Sequence, residues 1–198
     1  LEMLRSRIEK EKSFERYGLK PGGYGLVTLH RPANVDEPDL LREICRILQR
    51  VAKQIPLIFP VHPRTHKSLA KFGLWDDLQS ISALHLTDPI SYIPFMNLIF
   101  HCRFVLTDSG GIQEETTYLG IPCLTLRPNT ERPITVTQGT NRLCTLRDVE
   151  RQIGSILSQT TAQKTVPDLW DGQAAVRVSK SIHQFLAKEG LNSYDCKN

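Results

Sequence analysis

The stretch VLTDSGGIQEETTYLGIP, residues 105–122, sets an apolar run against a helical one with Thr-Asp-Ser-Gly-Gly between them. The first run is short and apolar, as a buried strand requires, and IQEETTYLG has the length and composition of a short helix. Asp108 or Ser109 suits the start of that helix, because a short polar side chain there accepts from unpaired backbone N–H groups. Two glycines are not needed for capping. Gly110 and Gly111 remove Cβ and so let a ligand approach the first amides of the helix. A helix N-terminus carries unpaired N–H groups and partial positive charge, so the ligand that fits is an anion such as a phosphate or diphosphate. Glu115 lies about one turn further in. It is too deep to act as a cap, and it is placed to accept from two vicinal hydroxyls, as on a ribose. Read alone, Ser-Gly-Gly also suits a plain strand-to-helix turn before a polar surface helix. It is neither a Walker loop nor a GxGxxG pattern. No GxSxG elbow surrounds Ser109, although a hydrolase using Ser109 with His30 as base is a further reading.

Strand-like and helical patterns alternate on both sides of this stretch. YGLVTL, PLIFPV, ALHLTDPI, RFVLT, PCLTL and RLC read as strands. PDLLREICRILQRVAKQ carries apolar residues at Leu40, Leu41, Ile44, Ile47, Leu48 and Val51, which is one helical face, with Asp36 ahead of Pro38 as its start. THKSLAKFG, SYIPFMNLIFHC with Pro94 in its first turn, LRDVERQIGSILSQ and AAVRVSKSIHQFLAKEG also read as helices. This alternation predicts βαβ units and an α/β, Rossmann-like parallel sheet with helices on both faces. Residues 2–17 read as one helix ahead of the first strand. They look like a connector, which predicts a further domain before it.

Composition narrows the function classes. The 198 residues carry a net charge of only +4, with Lys and Arg spread along the chain. HPRTHK is the nearest approach to a basic cluster and has no interleaved aromatics, which argues against nucleic acid as a partner. The five cysteines form no CxxC pair and most sit in apolar runs, so they read as buried or free thiols in a reducing compartment. The start LEMLRSRIEKEK lacks a continuous apolar core, and no run approaches a membrane span. The chain therefore reads as cytoplasmic, with no membrane partner.

In parallel sheets the site lies beyond the carboxyl ends of the strands. The segments there are HRPANVD, HPRTH, TDPISYIPF, TDSGGIQEE and RPNTERP. Four of the five carry a His, an Arg or Gly-Gly. Arg31 suits a phosphate clamp, and His30 a phosphate ligand or an acid/base group. Each residue, taken singly, also suits a satisfied strand end. His62 and Arg64 repeat the placement after the second strand. His62 and His66 stand four apart, but no third close ligand completes a metal site. Arg127 and Arg132 flank PNTE, a loop that suits either a charged substrate or a solvated surface.

TLHRPANVD, PVH, PISYIPF, TDSGGIQEE, LGIP and RPNTERP occur in an order and spacing that resembles the carboxyl-terminal half of a non-hydrolysing UDP-N-acetylglucosamine 2-epimerase. The motifs run over residues 25–143. The resemblance implies one half of a two-domain, glycosyltransferase-B-type architecture. Residues 1–22 would be a connector helix and turn and 23–198 the UDP-binding domain, with the amino-terminal catalytic domain outside this chain. It implies an isomerase that interconverts UDP-N-acetylglucosamine and UDP-N-acetylmannosamine by eliminating UDP to a 2-acetamidoglucal and re-adding it. No metal and no cofactor are implied. The full-length protein would be a cytoplasmic homodimer serving cell-surface polysaccharide biosynthesis. By motif, Ser109, Gly110 and Gly111 would hold the diphosphate, Glu115 the ribose, Phe95 the uracil, and Arg132 phosphate. His62 would line the cleft, and His30 would be the catalytic residue beside the leaving diphosphate. The acid/base carboxylates belong to the other half, so this chain alone is expected to be inactive.

The sequence departs from the family pattern at three places. Ala33 replaces a glutamate associated with a regulatory site, Arg64 replaces an asparagine, and Ile134 follows TERP where glutamate is usual. These leave room for an epimerase of a different UDP-sugar, such as a diacetamido-uronic acid. A glycosyltransferase donor domain and a non-catalytic nucleotide-binding module are the remaining alternatives.

Overall fold

Six parallel strands carry the fold of the computed structural model, which describes residues 1–159 and 166–188. In chain order the elements are a 3-10 turn at Glu2–Leu4, α1 (Arg5–Lys10), a 3-10 turn at Ser13–Tyr17, β1 (Gly25–Thr28), α2 (Pro32–Val35), α3 (Pro38–Ala52), β2 (Leu57–Pro60), α4 (Pro63–Lys71), α5 (Trp75–Gln79), β3 (Leu84–Thr87), α6 (Tyr92–His101), β4 (Phe104–Thr107), α7 (Gly110–Leu119), β5 (Cys123–Leu126), α8 (Pro133–Thr137), β6 (Asn141–Cys144), α9 (Val149–Ser158) and α10 (Ala174–Lys188). The sheet order is β3-β2-β1-β4-β5-β6 and every adjacent pair is parallel. The expected Rossmann-like sheet is what the chain forms.

The strands read as continuous apolar runs because both sheet faces are covered. Successive residues point to opposite faces. Val27 and Leu29 join Leu57, Phe59, Leu106 and Leu124 against α3 and α9. Leu26 joins Ile58 and Val105 in a second core with Met96, Leu98 and Ile99 of α6 and Ile8 of α1. Gly25 belongs to the packing: a Cβ there would come within 2.5 Å of the Phe104 ring.

The chain divides into two compact units, Leu1–Val166 and Pro167–Asn198. The sheet lies in the first. In the second, Arg177 on α10 donates to both carboxylate oxygens of Asp171 at 2.8 Å. No described helix is long and apolar enough to cross a membrane. Cys45, Cys102, Cys123 and Cys144 are buried free thiols. Burial pushes the Cys45, Cys123 and Cys144 thiols up to about 12, about 11 and about 12. Cys196 lies outside the described residues.

Two local expectations need correction, at residues 2–17 and at Asp36. Residues 2–17 are not one helix: the chain turns extended at Glu11, where the buried Asn97 of α6 takes over the backbone groups. Its Nδ2 donates to Ile8 O and Glu11 O at 2.9 and 2.7 Å, and its Oδ1 accepts from Ser13 N at 3.0 Å. Within HRPANVD, Pro32 opens the short α2 with its pre-set φ. Pro133 opens α8 in the same way. Asp36 does not start α3: Glu37 occupies the cap without a side-chain bond, and Asp36 instead pairs with Arg64 at 2.9 Å.

Candidate functional site

β1 and β4 are neighbours, but their connections part: β1 leads through α2 and α3 to β2, and β4 leads through α7 to β5 on the other side. Strands that part in this way open a crevice beyond their carboxyl ends. A 2.7 Å hydrogen bond between Thr28 Oγ1 and Thr107 Oγ1 ties the two ends together. His30 stands on one lip, and Asp108, Ser109, Gly110 and Gly111 on the other.

Asp108 is fully buried and collects four donors. His30 N, Arg31 N and Asn34 Nδ2 donate to its Oδ2 at 3.0, 2.8 and 3.0 Å. His30 Nδ1 lies 2.9 Å from its Oδ1. A buried carboxylate is tolerated when its lone pairs are met in this way. The second Asn34 bond, to Leu126 O at 3.1 Å, reaches the end of β5, and Arg31 Nε donates to Asp108 O at 2.8 Å. Asp108 was missed as a site residue because it reads as a cap for the helix that follows it. Ser109 holds that cap position, without a side-chain cap bond, and Asp108 faces the opposite lip. The only local signal for it was an acid placed directly after a strand.

Because His30 Nδ1 faces a carboxylate, it carries the ring proton, which leaves Nε2 for the crevice. His62 is arranged the other way. It caps α4, and its Nδ1 accepts from Arg64 N at 3.1 Å, so its proton sits on Nε2. The two rings stand 5.3 Å apart between centroids. With Phe95, Ser109, Ile112 and Pro60 they line a cleft of about 200 Å³. Hollows of about 320 and 620 Å³ exist elsewhere, along α3 and α4, but neither gathers residues of Gly110–Leu119. Size therefore does not pick out the site. The convergence of strand ends does.

The first turn of α7 is uncovered. A Cβ at Gly111 would meet no atom within 4 Å, and one at Gly110 only Glu131 Oε2, at 3.9 Å. The buried Gln113 latches the neighbouring loop: its Nε2 donates to Ser109 O at 3.2 Å, and its Oε1 accepts from Thr130 Oγ1 at 2.5 Å and Asn141 Nδ2 at 3.0 Å. In that loop Arg127 donates to both oxygens of Glu131 at 2.7 and 2.8 Å, holding this carboxyl down to about 2. Arg31 reaches Glu131 at 3.4 Å. Arg132 Nε lies 2.9 Å from Glu114 Oε1, close in distance without the alignment of a hydrogen bond.

Glu115 faces α6. Tyr92 Oη donates to its Oε1 at 3.1 Å. Burial raises the Glu115 carboxyl above the ordinary value of 4.5, and the Tyr92 bond offsets part of that. The fold thus brings His30, His62, Phe95 and Ser109 to one cleft and sets Gly110, Gly111 and Glu115 along the helix at its edge. Arg31 and Arg132 are held near that edge by acidic partners. Among the described residues, no three His, Cys, Asp or Glu side chains are grouped to hold a metal ion.

Residues 1–183 match the family model described as UDP-N-acetylglucosamine 2-epimerase. A UDP-N-acetylglucosamine 2-epimerase of Methanococcus maripaludis is 41% identical over 122 residues, 61% of this chain and 33% of the relative. The UDP-2,3-diacetamido-2,3-dideoxy-D-glucuronate 2-epimerase of Pseudomonas aeruginosa is 36% identical over 169 residues, 84% of this chain and 45% of the relative. The crystal structure of Methanocaldococcus jannaschii UDP-GlcNAc 2-epimerase in complex with UDP-GlcNAc and UDP superposes with a TM-score of 0.75 at 32% identity, covering 89% of this chain and 50% of that one. The chain thus spans between 33% and 50% of the length of these relatives.

Proposed function

This chain belongs to the UDP-N-acetylglucosamine 2-epimerase family, and we propose that it is the half of such an isomerase that grips the UDP part of a UDP-sugar. The observation that carries this reading is the bare first turn of α7, open at Gly110 and Gly111 and set across one cleft from His30. The amides at Gly110 and Gly111, with Ser109, hold the diphosphate on the positive end of the helix. Arg31 and Arg132 exchange their acidic partners for phosphate oxygens. Glu115 accepts from the ribose diol and Phe95 lies beside the uracil. His30 Nε2, positioned through Nδ1 by Asp108, meets the diphosphate as it leaves, and His62 lines the same cleft.

Elimination of UDP also needs a base for the sugar C2 proton, and the carboxylates for that step lie in the amino-terminal domain of the same protein. Residues 1–22 then lead from that domain into 23–198. We place the full-length enzyme in the cytoplasm, as a homodimer supplying cell-surface polysaccharide synthesis. The buried free thiols support the compartment, and the family resemblance supports the rest. The sugar is either N-acetylglucosamine or a relative. The Pseudomonas aeruginosa enzyme, named for a diacetamido-glucuronate and matching 84% of this chain, supports the second choice.

Calorimetric titration tests the site. UDP is expected to bind the chain in the micromolar to millimolar range, while Glu115→Ala weakens UDP about tenfold or more and leaves pyrophosphate unchanged, since only UDP brings the ribose. The Glu115 carboxyl is raised, so it gains its proton at a higher pH than an ordinary glutamate. UDP affinity should therefore fall as pH drops toward 4.5, and it should do so before an unperturbed carboxyl would titrate. No heat at millimolar UDP, or equal losses for UDP and pyrophosphate in the variant, would contradict the reading.

A further inference from the structure

The geometry points to Tyr92 as a positioning residue that sets Glu115 for the ribose diol and thereby makes the site select ribonucleotides over deoxynucleotides. This rests on the UDP reading above and deepens it. Tyr92 is the first residue of α6 and is 43% exposed. A residue that open contributes little to the core. What it does contribute is one hydroxyl, which crosses from α6 to Glu115 Oε1 on α7 at 3.1 Å.

Placement gives that bond its meaning. Phe95, in the cleft, lies three residues after Tyr92, so the two share a face of α6. Glu115 lies one turn inside α7 from the bare glycines. The Tyr92–Glu115 bond thus joins α6, which carries the residue set beside the base, to α7, which carries the amides set for the diphosphate, and a ribose lies between those two parts of a nucleotide.

Chemistry gives the bond a reason. A half-buried glutamate keeps a choice of rotamers, and water favours the outward ones. A phenol donating to one oxygen holds the carboxylate in place. One lone pair on Oε1 is then used, which leaves one on Oε1 and two on Oε2. Those suffice for the two donors of a cis diol. Burial already raises the Glu115 carboxyl, and a donor at Oε1 favours the ionised form that accepts both hydroxyls. Without the phenol, ordering the glutamate falls to the ligand and weakens its binding.

The test is calorimetric titration of the chain with UDP, 2′,3′-dideoxy-UDP and pyrophosphate. The wild type is expected to prefer UDP over the dideoxy form by about tenfold or more. Tyr92→Phe keeps the ring, removes the hydroxyl and is expected to cut this preference to about threefold or less. Its dideoxy-UDP and pyrophosphate affinities should match the wild type, which a merely structural defect would not leave intact. In Tyr92→Phe/Glu115→Gln the losses should not add, because one residue acts through the other. Full ribose preference in Tyr92→Phe, or additive losses, would overturn the inference while the UDP reading stood. A wild-type chain that binds no UDP would sink that reading first, and the inference with it.

Discussion

A Cβ at Gly139 would come within 2.4 Å of Thr117 Cγ2, and one at Gly25 within 2.5 Å of Phe104 Cζ, whereas one at Gly111 would meet nothing within 4 Å. The first two glycines are therefore demanded by packing. Gly111 is not, and its φ lies outside the left-handed region. Alanine there fits the fold and is a better helix former, so Gly111→Ala should hold or raise stability by up to about 1 kcal/mol. The same methyl would stand where a diphosphate approaches the amides, so UDP affinity should fall about tenfold or more. Denaturant melts and titration of one preparation separate the two effects. A variant that melts early, or that binds UDP normally, would refute the ligand reading of this glycine. That Gly110 and Gly111 open α7 was legible from sequence, because a strand-to-helix turn is written locally. Asp108 was not, because its partner His30 lies 78 residues away.

At the scale of elements, the short pieces depend on neighbours. α1 has only six residues, too few to persist by its own hydrogen bonds. Ile8 and the three bonds to Asn97 hold it against α6. Asn97→Ala removes all three and leaves the buried Ser13 N–H unpaired, at a cost of about 1–3 kcal/mol. Limited proteolysis should then cut within residues 1–17 before any cut in the sheet. Cleavage that spares this segment would show that the asparagine does not anchor it. Residues 2–17 read as one helix because their pattern is helical, and the break at Glu11 was hidden because its cause sits on α6. Proline is the local mark of two short helices: Pro32 and Pro133 each open one that their own φ favours.

At the scale of the whole molecule, the sheet order opens a crevice between β1 and β4, and of the expected site residues His30, His62, Phe95 and Ser109 line the cleft there. The chain spans about half of the Methanocaldococcus jannaschii structure it resembles. UDP-N-acetylglucosamine mixed with this chain alone should give no UDP-N-acetylmannosamine and no deuterium at C2 in heavy water. Either product, followed by NMR, would show that the base lies within these 198 residues.

The sequence by itself determined the parallel sheet, its covered faces and the glycine-opened start of α7. Each follows from hydrophobic period, β-branching or the missing Cβ of a glycine, all of which act within a few residues. Only the tertiary structure decided which acid orients His30, which phenol meets Glu115 and where the amino-terminal segment breaks. Those depend on atoms brought together by the order of strands in the sheet, and side chains far apart in sequence carry no local mark of the partner they will meet.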